Sequence, residues 1–282
     1  MKKLCVVIGA LILVLVAISL VLTLFEKNIP LKDRIALVRI EGPILDSQNA
    51  VDEIKDYGKD SSVKAILLRI DSPGGAVAPS QEIYSEVKKV AARKPVVVSM
   101  GSVAASGGYY IACPATRIVA NPGTLTGSIG VIMEIPNIEG LLNKIGVKTE
   151  VIKSGKNKDI GSMFRAMKPQ ERQLLQGVMD NVHEQFIRAV AEGRKMKTED
   201  VRAIADGRIF TGEQAVGEGL VNELGTLEDA TRVAAKLAGI KGEPEIVTKK
   251  DKFSFVDILR NKFPKEILDV FPTVKIKYLF AP

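Results

Sequence analysis

Gly101-Ser102-Val103-Ala104-Ala105-Ser106-Gly107-Gly108-Tyr109-Tyr110-Ile111-Ala112 is the stretch from which the rest of the chain can be read. The apolar run Val96-Val97-Val98-Ser99-Met100 before it predicts a buried strand, and the large apolar residues after Gly108 predict a buried helix. One hydroxyl, Ser106, stands at the junction with only Ala or Gly beside it. Small neighbours let a substrate backbone come close. A serine at a helix start also meets the positive end of the helix dipole, which favours a developing oxyanion. Two readings of Ser106 follow: a nucleophile, or the N-cap of a tight strand-to-helix turn.

Upstream, Arg34 to Ile40 predicts a first strand, ended by Gly42-Pro43, and a helix is expected within Gln48 to Tyr57. Val63 to Ile70 predicts a second strand, and Asp71-Ser72-Pro73-Gly74-Gly75 follows at once. Pro73 fixes its own φ, and two glycines reach backbone angles closed to other residues, so the loop can turn N–H groups toward a ligand. A helix is expected from Ser80 to Arg93, with Ile83, Val87 and Val90 along one face. Strand, Gly-rich loop, helix, then strand, small-residue loop, helix is an α/β pattern. In a parallel sheet both loops emerge at the C-terminal edge, where α/β ligand sites form. Gly74 and Gly75 then lie near Ser106, although Gly74-Gly75 alone reads equally well as an ordinary βα turn. Neither Gly-x-Gly-x-x-Gly nor a Walker pattern is present, which disfavours a phosphate loop.

Downstream, Thr116 to Ala120 predicts a short strand, and Thr124 to Ile132 predicts an extended edge able to pair with a peptide backbone. Asn137 to Ile145 should be helical, Lys148 to Lys153 a strand, and Lys153 to Gly161 a loop. A long helix begins near Pro169, which suits a first-turn position. Leu174, Val178, Val182, Phe186 and Val190 recur every four residues, predicting one continuous buried stripe. His183, beside Met179 and Ile187, reads as a partly buried packing residue rather than a base. Thr211-Gly212-Glu213-Gln214 has capping-box spacing, Gly219 should end that helix, and Thr226 to Ala238 gives one more.

Composition narrows the function. With 46% hydrophobic and 26% charged residues in 282, the chain is globular. The net charge of +7 is diffuse, with no Arg-rich stripe or aromatic-basic interleaving, so nucleic acid is an unexpected partner. An anionic membrane surface fits better. Cys5 and Cys113 are placed too differently to pair, and one His gives no metal-ligand spacing.

Lys2-Lys3 precedes an apolar run from Leu4 to Phe25, long enough for a transmembrane helix of roughly 20 residues. A cleaved signal peptide is the rival, but the run continues past the cleavage-like Ala17-Ile18-Ser19. The positive residues would keep the N-terminus in the cytoplasm and place the rest outside the cytoplasmic membrane. The expected organisation is a membrane anchor over residues 1–27, a catalytic domain over 28–248 and a basic, aromatic tail over 249–282. The tail would pack on the body or a neighbouring subunit, rest on the membrane surface, or stay disordered.

Five motifs, read together, resemble one family. They are Asp71-Ser72-Pro73-Gly74-Gly75, Ala104-Ala105-Ser106-Gly107-Gly108-Tyr109-Tyr110, Thr126-Gly127-Ser128-Ile129-Gly130-Val131, Ser154-Gly155-Lys156-Asn157-Lys158-Asp159 and Asp206-Gly207-Arg208. Gly219-Leu220-Val221-Asn222-Glu223-Leu224-Gly225 adds to them. In order and spacing the chain resembles, over roughly residues 35–240, the signal peptide peptidases of bacteria and archaea. These are serine proteases of the Clp protease/crotonase-like fold, with stacked βαβ units. The length resembles the short form, one protease domain behind one N-terminal transmembrane helix. Asn222 stands where that family usually has Asp, and Met163 where Pro is common.

The resemblance implies that Ser106 is the nucleophile and Lys158 its general base. The residues agree on the type of base: a Ser-His-Asp triad would need His183, whereas a Ser-Lys dyad needs only an amine made neutral by desolvation. Lys153 and Lys156 are local rivals that only the family motif sets aside. The oxyanion hole would come from backbone N–H groups of the Gly74-Gly75 loop and of Gly107, and Ser128 would orient Lys158. The implied substrates are hydrophobic peptides such as remnant signal peptides. The implied assembly is a homo-oligomer in which neighbouring domains supply Ser and Lys, with no metal or organic cofactor. Two other classes stay open: a non-catalytic membrane scaffold on a protease-like fold, and a crotonase-type acyl-CoA enzyme.

Overall fold

A computed structural model describes residues 33–249 and the strand Lys277–Leu279; the expected anchor and most of the tail lie outside the described residues. Among the described residues no helix is long and apolar enough to cross a membrane.

Four parallel strands make the centre: β1 (Arg34–Glu41), β2 (Val63–Ser72), β4 (Val96–Ala105) and β5 (Arg117–Ala120). Their apolar residues run without a polar face because both faces are covered. On one face Val38, Ile40, Leu68, Ile70, Val98 and Met100 meet α1 (Gln48–Lys59), α2 (Val77–Ala91), α3 (Gly107–Ala112) and α5 (Pro169–Arg194) in one cluster. On the other, Ile35, Leu37, Leu67, Val97 and Val119 meet Ala230 and Ala234 of α8 (Leu227–Leu237). The small α8 residues let that helix lie close to the sheet. Ile83, Val87 and Val90 are fully buried, as the spacing predicts.

β4 carries two neighbours in succession. Val97 to Ser99 pair with β5, and Val103 to Ala105 pair with β6 (Leu125–Gly127). Gly101 to Ala105 is therefore strand rather than the small-residue loop expected, because β6 supplies a hydrogen-bonding partner. The sheet order is β7-β6-β4-β2-β1-β9, with β7 (Ile209–Thr211) antiparallel on β6, β9 (Glu245–Val247) on β1, and β8 (Glu223–Leu224) on β5. A second, two-stranded sheet pairs β3 (Gly74–Ala76) antiparallel with β10 (Lys277–Leu279).

Two expectations fail for one reason. Lys148 to Lys153 forms no strand; these residues are exposed, and Ile152 fully so. The stripe on α5 is buried only in its second half: Phe186 and Val190 are covered, while Leu174 and Val178 are about half exposed. Apolar period identifies a face that can be buried, not whether this chain supplies the cover. Elsewhere the caps hold: Thr211 Oγ accepts from the Gln214 N–H (3.2 Å) at the start of α7 (Gly212–Gly217), and Thr226 caps α8.

Candidate active site

Ser106 sits between β4 and α3 at φ 54°, ψ −117°, a left-handed conformation that a serine rarely adopts. Such strain costs about 1–3 kcal/mol and persists only where the surroundings impose it. They do so here. The Ser106 N–H donates to the Gly127 carbonyl (2.8 Å), and its carbonyl accepts from the Tyr110 N–H (2.8 Å). Tyr109 is wholly buried and donates its hydroxyl to the Leu220 carbonyl (2.9 Å). The Tyr110 ring lies 4.9 Å from those of both Tyr84 and Phe186, fastening α3 to α2 and α5. Ser106 occupies the N-cap position of α3, as one of the two readings has it, but its side chain makes no capping hydrogen bond. Its Oγ is buried and has no hydrogen-bond partner among the described residues.

The two predicted loops do converge. A methyl group on Gly107 would lie 3.2 Å from the Gly75 nitrogen and 3.2 Å from the Gly74 Cα. Gly74 and Gly75 are strand rather than free loop, because Ile44 pairs with them: the Ile44 N–H donates to the Gly74 carbonyl (2.9 Å), and the Ala76 N–H to the Ile44 carbonyl (2.7 Å). The Gly74 N–H donates to Ser72 Oγ (3.1 Å), which itself donates to the Gly42 carbonyl (2.6 Å). Successive residues of a strand address opposite edges. Gly75 thus turns its N–H and carbonyl away from Ile44, toward the edge where β10 places Tyr278 opposite it.

Ser128 follows Gly127, is buried, and has φ 49°; its N–H donates to the Arg208 carbonyl (2.8 Å). It opens a cleft of about 490 Å³ that runs past Val131 and Ile132 on one wall and Met179, Asp180 and His183 of α5 on the other. His183 is half-buried as expected, with its Nε2 enclosed and unpartnered. Thr124 to Ile132 is strand only over β6; Ser128, Gly130, Val131 and Ile132 beyond it line this cleft.

Lys158 lies in a turn before α5, its N–H donating to the Gly155 carbonyl (3.1 Å), with an exposed side chain. Within one chain it does not reach Ser106, whose Oγ stays unpartnered. Of its rivals, Lys153 is ion-paired with Asp159, so its amine is already engaged. Burial lowers the pKa of Lys94, but its amine donates to the carbonyls of Tyr57, Asp60 and Val63 beside the N-terminal end of β4. Lys94 is thus a structural clamp at the end of the strand remote from Ser106.

Sequence reasoning missed the residues that brace these features. Asp71 Oδ1 accepts from the Val103 N–H (3.1 Å), tying β2 to β4 just before Ser106. Ser80 is fully buried beside Gly107 and donates to the Ala76 carbonyl (2.9 Å). Asn222, the departure from the family pattern, accepts from the Ile118 N–H (2.8 Å) and from Arg194 (2.7 Å), a structural role. Among the described residues no three His, Cys, Asp or Glu side chains converge as metal ligands.

Comparison with known proteins places this site. Residues 39–123, which carry both glycine motifs and Ser106, match the Clp protease family, so the α/β body is Clp protease-like. The fold thus belongs to the class of Clp protease-like peptidases. Residues 88–241, more than half of the chain, match peptidase family S49, and the chain belongs to that family. A candidate protease of Synechocystis is 47% identical over 74% of this chain and 76% of its own length. A candidate signal peptide peptidase SppA of Enterococcus faecium is 38% identical, over 74% of this chain and 61% of its own. The chloroplastic serine protease SPPA of Arabidopsis thaliana is 35% identical over 74% of this chain and 33% of its own. The matched region is thus under two thirds of the last two relatives.

Proposed function

We propose that this protein is a membrane-anchored endopeptidase that cuts hydrophobic peptides, remnant signal peptides among them, with a Ser106–Lys158 dyad. The carrying observation is the strained Ser106, its hydroxyl buried and without a partner among the described residues, next to Gly107, which packs against Gly74 and Gly75 of β3. An edge that pairs antiparallel with Lys277–Leu279 is one on which a peptide can be laid as a strand. Ser106 Oγ attacks the peptide carbonyl and passes its proton to the neutral Lys158 amine. The N–H groups of Gly75 and Gly107 hold the oxyanion; Gly74 is less suited, since its N–H is already donated to Ser72. Lys158 returns the proton to the leaving amine, leaving an acyl-enzyme on Ser106. Water then attacks the acyl carbonyl, giving a proton to Lys158; as the bond from the acyl carbon to Ser106 Oγ breaks, Lys158 passes that proton to Oγ, and the acid departs with both residues restored. Ser128, which lines the cleft, would accept from the Lys158 amine once the two meet.

Lys158 is exposed and apart from Ser106 in one chain, which fits a homo-oligomer in which a neighbour supplies the base. Exposed Leu141, Ile145, Val147 and Ile152 near the Lys158 turn, and Leu174 and Val178 on α5, give such a neighbour an apolar face to cover. The apolar N-terminal run supports an anchor that keeps the catalytic domain at the outer face of the cytoplasmic membrane, beside its substrates.

The test is hydrolysis of a fluorogenic apolar peptide by wild type, Ser106→Ala, Lys158→Ala and Lys156→Ala, with oligomer size measured alongside. Ser106→Ala should be inactive, Lys158→Ala should fall by about 100- to 10,000-fold, and Lys156→Ala should match wild type. Wild-type activity in Lys158→Ala would refute the dyad. An assembled wild type inert toward peptides would favour a scaffold.

A further inference from the structure

The turn that carries Lys158 is nailed to the start of α5 by one guanidinium. Arg165 Nε donates to Asp159 Oδ2 (2.8 Å), and one terminal nitrogen donates to the Asp159 carbonyl (3.2 Å). That nitrogen and the other terminal nitrogen fork onto Glu171, at 2.6 and 2.8 Å. Glu171, 4% exposed, also accepts from the Lys168 N–H (3.0 Å) in the first turn of α5. Lys153 closes the cluster on the other side of Asp159. Arg165 thus holds both the backbone and the side chain of the residue next to Lys158, and joins them to a buried carboxylate on a long helix. A lysine ammonium has no planar fork and cannot reproduce this geometry.

We propose that Arg165 is a positioning residue for the catalytic base. By bridging Asp159 to Glu171 it fixes the Lys158 turn on α5 and sets where the amine is presented. The inference rests on Lys158 being the base. It also assigns a role to Asp159, which the family-like motif contains but which has no place in the chemistry. Reactive groups displaced by about 1 Å can lose on the order of 100-fold in rate.

The experiment is steady-state kinetics on the full chain for wild type, Arg165→Gln, Arg165→Lys, Glu171→Gln and Lys158→Ala. Oligomer size and melting temperature are measured on each. The rate of Ser106 labelling by a fluorophosphonate is followed too, including in Lys158→Ala/Arg165→Gln. Arg165→Gln should lower kcat by about 100-fold with KM unchanged, and Arg165→Lys should recover only part of it. Glu171→Gln, which keeps the shape and loses the charge, should fall in the same direction if Arg165→Gln fails to assemble. Labelling should slow in Arg165→Gln, yet be the same in Lys158→Ala with and without the second change. A wild-type kcat in assembled Arg165→Gln and Glu171→Gln overturns the inference while leaving the dyad intact. An equal further loss of labelling in the double variant overturns it as well, because Arg165 would then act through the fold. Full activity in Lys158→Ala removes the dyad itself, and this inference with it.

Discussion

Gly107 and Gly75 meet with no room for a side chain: a Cβ on Gly107 would stand 3.2 Å from the Gly75 nitrogen and 2.7 Å from Ser80 Oγ. This contact joins the start of α3 to β3 and sets the spacing of the two N–H groups proposed for the oxyanion. Gly107→Ala would force them apart while leaving the helix propensity of α3 better, not worse. Its kcat should drop by about 100- to 1,000-fold, the cost of a lost oxyanion donor, with the circular dichroism spectrum retained. Equal kcat in the variant would mean that these amides do not hold the oxyanion.

Gly75 faces β10, so the chain's own C-terminal strand covers the edge offered to substrate. Tyr278→Pro would remove a strand donor and disfavour the pairing without shortening the chain. The KM for an apolar peptide should fall severalfold in that variant. A KM equal to wild type would show that the strand and the peptide do not compete.

Tyr109 reaches Leu220 through a fully buried hydroxyl, and burial pushes its pKa far above the usual phenol value. Tyr109→Phe leaves the Leu220 carbonyl without its donor. Denaturant melts should show a loss of about 1–3 kcal/mol. No loss would mean that the carbonyl finds another partner.

The clamp at Lys158 has an acid limit. Hydrogen bonds from Arg165, then from the Lys168 N–H, hold Glu171 at about 2, below its ordinary 4.5. Arg165, then Lys153, holds Asp159 well below the usual carboxylate range. Folded values below the unfolded ones mean stability that is complete above the ordinary carboxylate pKa and lost as pH falls through the folded value. From about pH 5 down to about 2.5, wild type should therefore lose stability more steeply than Glu171→Gln. Parallel pH curves for the two would place the acid-sensitive groups elsewhere. The clamp should stay intact across neutral pH.

β1, β2, the first half of β4 and the Ile83-Val87-Val90 face were legible because a sheet buried on both sides leaves long apolar runs and a packed helix leaves a repeat. The approach of Gly74 and Gly75 to Ser106 was legible from parallel-sheet geometry alone. Lys148 to Lys153 and the Leu174-Val178 half of α5 were misread, because periodicity marks a face that can be buried and not whether this chain buries it. The Arg165–Asp159–Glu171 cluster left no signal: ion pairs have no period, and Arg165 is one of many basic residues. The strain at Ser106 was equally hidden, since a serine carries no mark of the φ it will be made to adopt.

The central claim is that the Ser106 hydroxyl is the nucleophile. Intact-mass and peptide-mapping spectrometry after reaction with a fluorophosphonate tests it most directly, on wild type and Ser106→Ala. The account predicts one covalent adduct per chain, mapped to Ser106, abolished in Ser106→Ala and accompanied by loss of peptide hydrolysis. An unlabelled Ser106 in an enzyme that still cuts peptides, or an adduct on another residue that alone stops hydrolysis, would contradict it.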